Sequence, residues 1–199
     1  MVIIGITGGS GSGKSTVSSA FCNLGACSID ADNVYHRLLN SSAPLMRGIT
    51  KRFPEVLGTN GTISRKKLAG IVFSDKNALN DLNNITHRFV VEEIEKAVSD
   101  FYEKSVEYIC IDAIALFETS LHEMCDTTVG VIAPGPVRIA RITERDGIDP
   151  MAASARISSQ PSDDFYRVNC DYIINNDGDI SAVQKAVSDI FDDITKGTD

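Results

Sequence analysis

The sequence predicts an α/β fold, a parallel sheet of five strands with helices on both faces. Short runs rich in valine and isoleucine recur along the chain, helix-period stretches lie between them, and glycine, proline or aspartate closes the runs. Strands buried on both faces need continuous apolar runs, and the helices between them supply the crossovers that parallel pairing requires.

Val2 to Ile6 is the first run, and it ends at Thr7-Gly8-Gly9. From Lys14 onward Val17, Ala20, Phe21 and Leu24 fall at helical offsets, and Gly25 supplies the stop. The first unit is therefore strand, glycine-rich loop, helix. Ala26 to Ile29 is the second run, closed by Asp30-Ala31-Asp32. A mostly helical middle follows, in which Asn60-Gly61 marks a tight turn and Val90, Ile94, Ala97 and Phe101 share one helical face. Val106 to Ile111, Thr127 to Ala133 and Cys170 to Asn175 are the remaining strands. Val183, Ala186, Val187, Ile190 and Ile194 mark a closing helix.

Composition narrows the function. The 199 residues carry a formal charge of −8, which argues against a general binder of nucleic acid or of anionic membrane. No apolar run is long enough to span a bilayer, and the N-terminus has no basic region or cleavage site of a secretory leader. The five cysteines are scattered and form no Cys-x-x-Cys pair, so they read as reduced thiols of a cytoplasmic protein. The expected assembly is a monomer or a weak homo-oligomer.

Gly8-Gly9-Ser10-Gly11-Ser12-Gly13-Lys14-Ser15 matches G-x-x-x-x-G-K-[ST] in the context that pattern requires, after a strand and opening a helix. Glycines let the backbone curl so that successive N–H groups face phosphate oxygens, and the helix aims its positive end at the same anion. Gly9, Gly11, Ser12, Gly13, Lys14, Ser15 and Thr16 are thus candidate ATP-binding residues. Lys14 supplies a mobile charge for the outer phosphates, and Ser15 is the candidate ligand for Mg²⁺. The architecture is then a three-layer P-loop NTPase fold.

The guanine-reading Asn/Thr-Lys-x-Asp segment of GTPases is missing, and Tyr108 to Asp112 ends in Asp alone, without the Asp-Glu of motor and transporter ATPases. What remains is a compact kinase of a small molecule. Such an enzyme needs a carboxylate at the acceptor, and Asp32, following a strand of the same sheet, answers to it. Asp30 is either a partner of Asp32 in that role or a cap and support. The enzyme also needs cationic groups for the charge that builds on the transferring phosphoryl. Arg138, Arg141 and Arg145 lie at helical offsets, with Arg156 and Arg167 beyond, and read as a lid. Of these, Arg141 is the candidate catalytic residue beside Asp32 and Lys14. His36 and His122 have no metal-ligand spacing and receive no role. On these residues alone the acceptor stays open. A kinase of another small alcohol and an ATP-sensing switch both remain, although a switch would show damage at Lys14, Ser15 or Asp32.

From Ile4 to about Gly178 the chain resembles the dephospho-coenzyme A kinase family. The resemblance rests on Ile6 to Val17, on Ile29-Asp30-Ala31-Asp32, and on Gly61-x-Ile63-x-Arg65 with Leu68 and Phe73. It continues through Leu82-Asn83-Asn84-Ile85-Thr86-His87, Asp112 with Leu116-Phe117-Glu118, Arg141-x-x-x-Arg145-Asp146, Arg156-x-x-x-Gln160, and Asp171 to Asn176 with Gly178. It implies ATP as co-substrate with Mg²⁺, dephospho-coenzyme A as acceptor, and Asp32 as the base. Arg141, Arg145 and Asn176 would then be on the ATP side. Asp32, Arg65, His87, Asp112, Leu116 and Glu118 would be on the acceptor side. It also implies a core of about residues 1–35, 105–135 and 168–199, a helical acceptor-binding insertion of about 36–104, and a lid of about 136–167. Ile114, Ala115, Arg88 and Cys170 depart from the family's usual residues; Ala115 would leave extra room in the acceptor pocket.

Overall fold

A computed structural model describes residues 1–58, 61–72 and 74–196. Asn60 of the expected turn and Phe73 of the middle motif lie outside the described residues. The chain divides into two compact units, Met1–Asp30 with Asp100–Asp199, and Ala31–Ser99.

The first unit holds the sheet, whose strands are β1 (Val2–Thr7), β2 (Cys27–Asp30), β3 (Tyr108–Asp112), β4 (Thr127–Ile132) and β5 (Tyr172–Asn175). Their order is β2-β3-β1-β4-β5, and each pairing is parallel. This is the five-stranded parallel α/β sheet expected from the alternating runs. The register aligns Ile6 of β1 and Asp30 of β2 with Asp112 of β3, so three carboxyl-terminal strand ends finish together. In open parallel sheets that edge is where ligands bind.

The core lies where α1 (Lys14–Asn23) and α9 (Ile180–Lys196) cover the sheet. Val17 and Phe21 of α1, Ile4 and Ile6 of β1, Val129 and Val131 of β4 and Val187 of α9 form one buried cluster. Phe21 is fully buried, a burial that contributes about 1.5–3 kcal/mol. The remaining helices of this unit are α6 (Gly135–Asp146), α7 (Pro150–Ser158) and α8 (Asp163–Asn169). The last two are capped by Asp149 and Ser162, whose side chains accept from Ala152 N and Phe165 N.

Three strands start later than the apolar runs do, because backbone groups at their starts are already engaged. Gly25, at φ 106, lets Ala26 N–H return to Phe21 O, so Ala26 belongs to the end of α1 and β2 begins at Cys27. Ser105, at φ 57, does the same for Val106, whose N–H bonds Phe101 O. At β5 the Asp171 N–H donates to Thr128 Oγ1 at 3.1 Å, its carboxylate accepts from Thr128 N at 2.8 Å, and the ladder starts at Tyr172.

The second unit is helical: α2 (Ala31–Ser41), α3 (Ala43–Arg52), α4 (Arg65–Val72) and most of α5 (Lys76–Glu103). Ser42 caps α3, accepting from Leu45 N, and Pro44 sits in its first turn where a missing N–H costs nothing. Leu38, Leu45, Ile49, Phe53, Val56 and Ile94 are buried. The periodicity of Val90, Ile94 and Val98 along α5 explains why the middle of the chain reads as helix.

Candidate active site

The loop between β1 and α1 folds as a phosphate cradle. Ser12 N–H donates to Gly9 O at 3.1 Å, and Thr16 N–H to Gly13 O at 3.0 Å, which curls residues 8–15 around a concave face. Gly13 has φ 95, and a Cβ placed on it would meet Asn176 Nδ2 at 2.0 Å, so any other residue is strained there and must displace that amide. A Cβ on Gly9 would lie 2.1 Å from Arg138 Nη2, so the guanidinium would have to shift. Lys14 Nζ reaches back to Gly8 O at 3.1 Å. Ser12 Oγ is buried with no hydrogen bond to protein, a donor directed at no protein oxygen.

Carbonyls of the loop are taken up by two guanidinium groups and an amide. Arg138 is buried; its Nε donates to Ser10 O at 2.9 Å and its Nη1 lies 3.5 Å from Asp163 Oδ1. Gln160 closes the same corner, accepting from Ser10 N at 2.8 Å and donating to Ser10 Oγ at 2.9 Å. Arg141 Nη1 donates to Gly11 O at 3.2 Å and Ser12 O at 3.3 Å. Its Nη2 donates to Asn176 Oδ1 at 3.1 Å, while Asn176 Nδ2 donates to Ser12 O at 2.9 Å. Two guanidinium charges thus lie behind the cradle, where they polarise the peptide groups that would face phosphate.

The arginines read as one lid face divide into two sets. Arg138 and Arg141 are turned onto the loop. Arg145 instead donates to Asp146, with Nε 2.7 Å from Oδ1 and Nη2 3.0 Å from Oδ2. Arg156 Nη1 approaches the same carboxylate at 2.5 Å. The hydrogen bonds from Arg145, reinforced by Arg156, hold the Asp146 carboxyl down to about 2.

Along α1 a groove of about 400 Å³ opens, lined among others by Ser15, Ser18, Ser28, Asp30 and Asp112. The Ser15 hydroxyl and two carboxylates of adjacent strand ends therefore share one space. These are hard oxygen donors of the kind Mg²⁺ takes when phosphates supply the rest of its coordination.

The other expected acceptor residues are distributed differently. Asp32 is exposed in the first turn of α2, two residues beyond the end of β2. Arg65 opens α4, and its Nη2 lies 2.8 Å from His36 Nε2. His87 is half-buried on α5. Leu116 has no exposed surface; it packs beneath β1, where a Cβ on Gly5 would touch it at 2.8 Å, so it is a core residue with no surface to offer a ligand. Glu118 is exposed as a residue, yet partial burial of its carboxyl raises its pKa.

Sequence reasoning missed Ser10 and His36, and read Arg138 as part of the lid. Gln160 was visible only as the end of a motif, with no role attached. No periodicity marks these residues, since their partners lie between 22 and 150 positions away.

Comparison with known proteins bears on the whole chain. The family model for dephospho-CoA kinase matches residues 2–182. A dephospho-CoA kinase of Syntrophotalea carbinolica is 35% identical over 94% of this chain and 89% of its own length. The one from Moorella thermoacetica is 36% identical over the same shares. The structure of dephospho-CoA kinase from Campylobacter jejuni superposes with a TM-score of 0.69 at 26% identity, covering 99% of this chain and 98% of that one. A P-loop cradle on a five-stranded parallel sheet, with a family match along nearly its full length, makes this chain a member of the dephospho-CoA kinase family.

Proposed function

We propose that this protein transfers the γ-phosphoryl group of ATP to the 3′-hydroxyl of dephospho-coenzyme A, giving coenzyme A and ADP, the last step of coenzyme A biosynthesis. The observation that carries the reading is the loop itself: Gly11 and Gly13 at positive φ, Lys14 Nζ folded back onto Gly8 O, and Ser15 sharing a groove with Asp30 and Asp112. The family match supplies the acceptor.

Each residue then has a task. The loop amides and Lys14 hold the β- and γ-phosphates, and the Ser12 hydroxyl donates to a phosphate oxygen. Arg141, on the loop carbonyls and on Asn176, stabilises charge on the transferring group through the loop peptides it polarises, and the family resemblance assigns Asn176 to the adenine end of ATP. Arg145 leaves Asp146 for phosphate when ATP is bound. Ser15 holds Mg²⁺, which when bound neutralises phosphate charge. Asp32 orients the acceptor hydroxyl and takes its proton. Arg65, His87, Asp112 and Glu118 are the proposed acceptor-side residues, and Leu116 is assigned a supporting place in the core of the sheet unit. Among the described residues no helix is long and apolar enough to cross a membrane. The acidic balance and scattered cysteines of the sequence are the ground for proposing an enzyme of the cytoplasm, and the proposed assembly is a monomer or weak homo-oligomer.

The test pairs a variant with an acceptor panel. Asp32→Asn should lower turnover by about 10²–10⁴-fold, the range for removing a positioned base, while ATP affinity stays within about twofold. Coupled release of ADP should require dephospho-coenzyme A among nucleosides, nucleoside monophosphates and sugar acids. Full turnover by the Asn variant would remove Asp32 from the chemistry, and ADP release with a different acceptor would reassign the substrate.

A further inference from the structure

The contact between His36 and Arg65 has a consequence for how the acceptor is bound. A guanidinium has donors only, so at 2.8 Å the His36 Nε2 must be the acceptor, and the imidazole is neutral with its proton on Nδ1. His36 follows Asp32 by four residues on α2, which places both on one face, one turn apart. Tyr35 flanks the pair, its ring 5.7 Å from the imidazole and tilted against it. Burial pushes the Tyr35 phenol up to about 12 against the pull of Arg65, so it remains a neutral O–H.

We infer that His36 and Arg65 together form the subsite for the acceptor's 5′-diphosphate, and that His36 takes up a proton from solvent when that diphosphate binds. This rests on the proposed function, in which Asp32 holds the 3′-hydroxyl. Four helical residues advance about 6 Å, which is the span of one nucleotide from its 3′-oxygen to its 5′-phosphorus. A substrate whose hydroxyl lies at Asp32 therefore brings its diphosphate to the next turn.

The proton follows from charge. Near neutrality imidazole is the side chain poised to gain one. In the free protein that gain would cost the bond from Arg65 and set two cations side by side. The ionisable groups near His36 include Asp32, Tyr35 and Arg37 on α2 and Arg65 on α4. Arg37 is tied to Glu93 of α5 at 3.0 Å. The neighbouring α3 carries Arg47, Lys51 and Arg52 and no carboxylate. A diphosphate supplies two negative charges at this point, so that both His36 nitrogens and Arg65 can donate to it. Being a diester, it does not titrate between pH 6 and 8, so the proton goes to the protein.

The experiment is calorimetric titration of dephospho-coenzyme A into the full-length protein without ATP, between pH 6 and 8, in buffers of different ionisation enthalpy. Unmodified protein should take up a measurable fraction of a proton. Its Kd should fall as pH falls, by at least about threefold across the range and by no more than the tenfold per unit that one proton allows. His36→Gln keeps an oxygen for Arg65 and should bind with no proton uptake and a pH-independent Kd. No uptake by the unmodified protein anywhere in the range would overturn the inference without recourse to any variant. Undiminished uptake by His36→Gln would assign the proton elsewhere, His87 included, and would also overturn it. In both of those cases binding itself persists and the proposed function stands; failure of the unmodified protein to bind dephospho-coenzyme A at all would instead overturn that function.

Discussion

Arg138 offers the sharpest test of how the phosphate cradle is held. Its guanidinium is buried and faces the outer wall of the loop, where Nε donates to Ser10 O at 2.9 Å and Nη2 to Gln160 Oε1 at 3.3 Å. The third contact, to Asp163 at 3.5 Å, involves a carboxylate whose side chain is 42% exposed, and solvent screening leaves it little weight. Replacing Arg138 by Met keeps most of the volume and removes the donors. The Ser10 carbonyl then loses a charged partner in a buried setting, which costs about 1.5–3 kcal/mol; with the weaker Gln160 contact the sum is about 3 kcal/mol. In a chain of this size each kcal/mol moves Tm by about 2–4 °C, so Arg138→Met should melt about 6–12 °C lower. The loop also loses its brace before ATP arrives, and affinity should fall by about tenfold, equivalent to 1.4 kcal/mol. Thermal denaturation followed by absorbance, and titration with a non-hydrolysable ATP analogue, measure the two effects. Arg138→Lys should recover little of either, since a single ammonium cannot serve two acceptors in fork geometry. A Met variant that melted within about 2 °C of the parent and bound the analogue equally well would refute the brace.

Two further outcomes follow from the same site. Gly13→Ala must place a methyl 2.0 Å from Asn176 Nδ2 at φ 95; the amide has to leave Ser12 O, and titration should show ATP analogue binding weakened by at least about tenfold. The Asp146 carboxyl, lowered from 3.8 to about 2 by Arg145 and Arg156, stabilises the fold fully above its unfolded value. That contribution disappears as pH falls through about 2, so acid melting curves of Asp146→Asn should lose the part of the slope that lies between those two values.

The chain settles much of its own reading because its chemistry is local. The glycine pattern from Gly8 to Ser15 works through consecutive backbone groups, so its order along the chain is already its geometry. The valine and isoleucine runs show the strands for a related reason: a parallel strand covered on both faces has no polar side to interrupt it. Family resemblance likewise was legible from motifs in order, and the match across residues 2–182 is its counterpart. Where the sequence reading slipped, a distant partner was decisive. Val106 reads as strand by side chain, but its N–H is spent on Phe101 O.

Sequence alone determined the phosphate cradle, the alternating α/β layers and the carboxylates that follow the strands, since each depends on spacing or on backbone pattern. Only the tertiary structure decided which arginine does what. Arg138, Arg141 and Arg145 share a helix and a spacing, yet one is buried under Ser10, one spans the loop and Asn176, and one is held by Asp146. A guanidinium's role is set by the acceptors it meets, and these are supplied by segments far along the chain that only folding brings within hydrogen-bond reach.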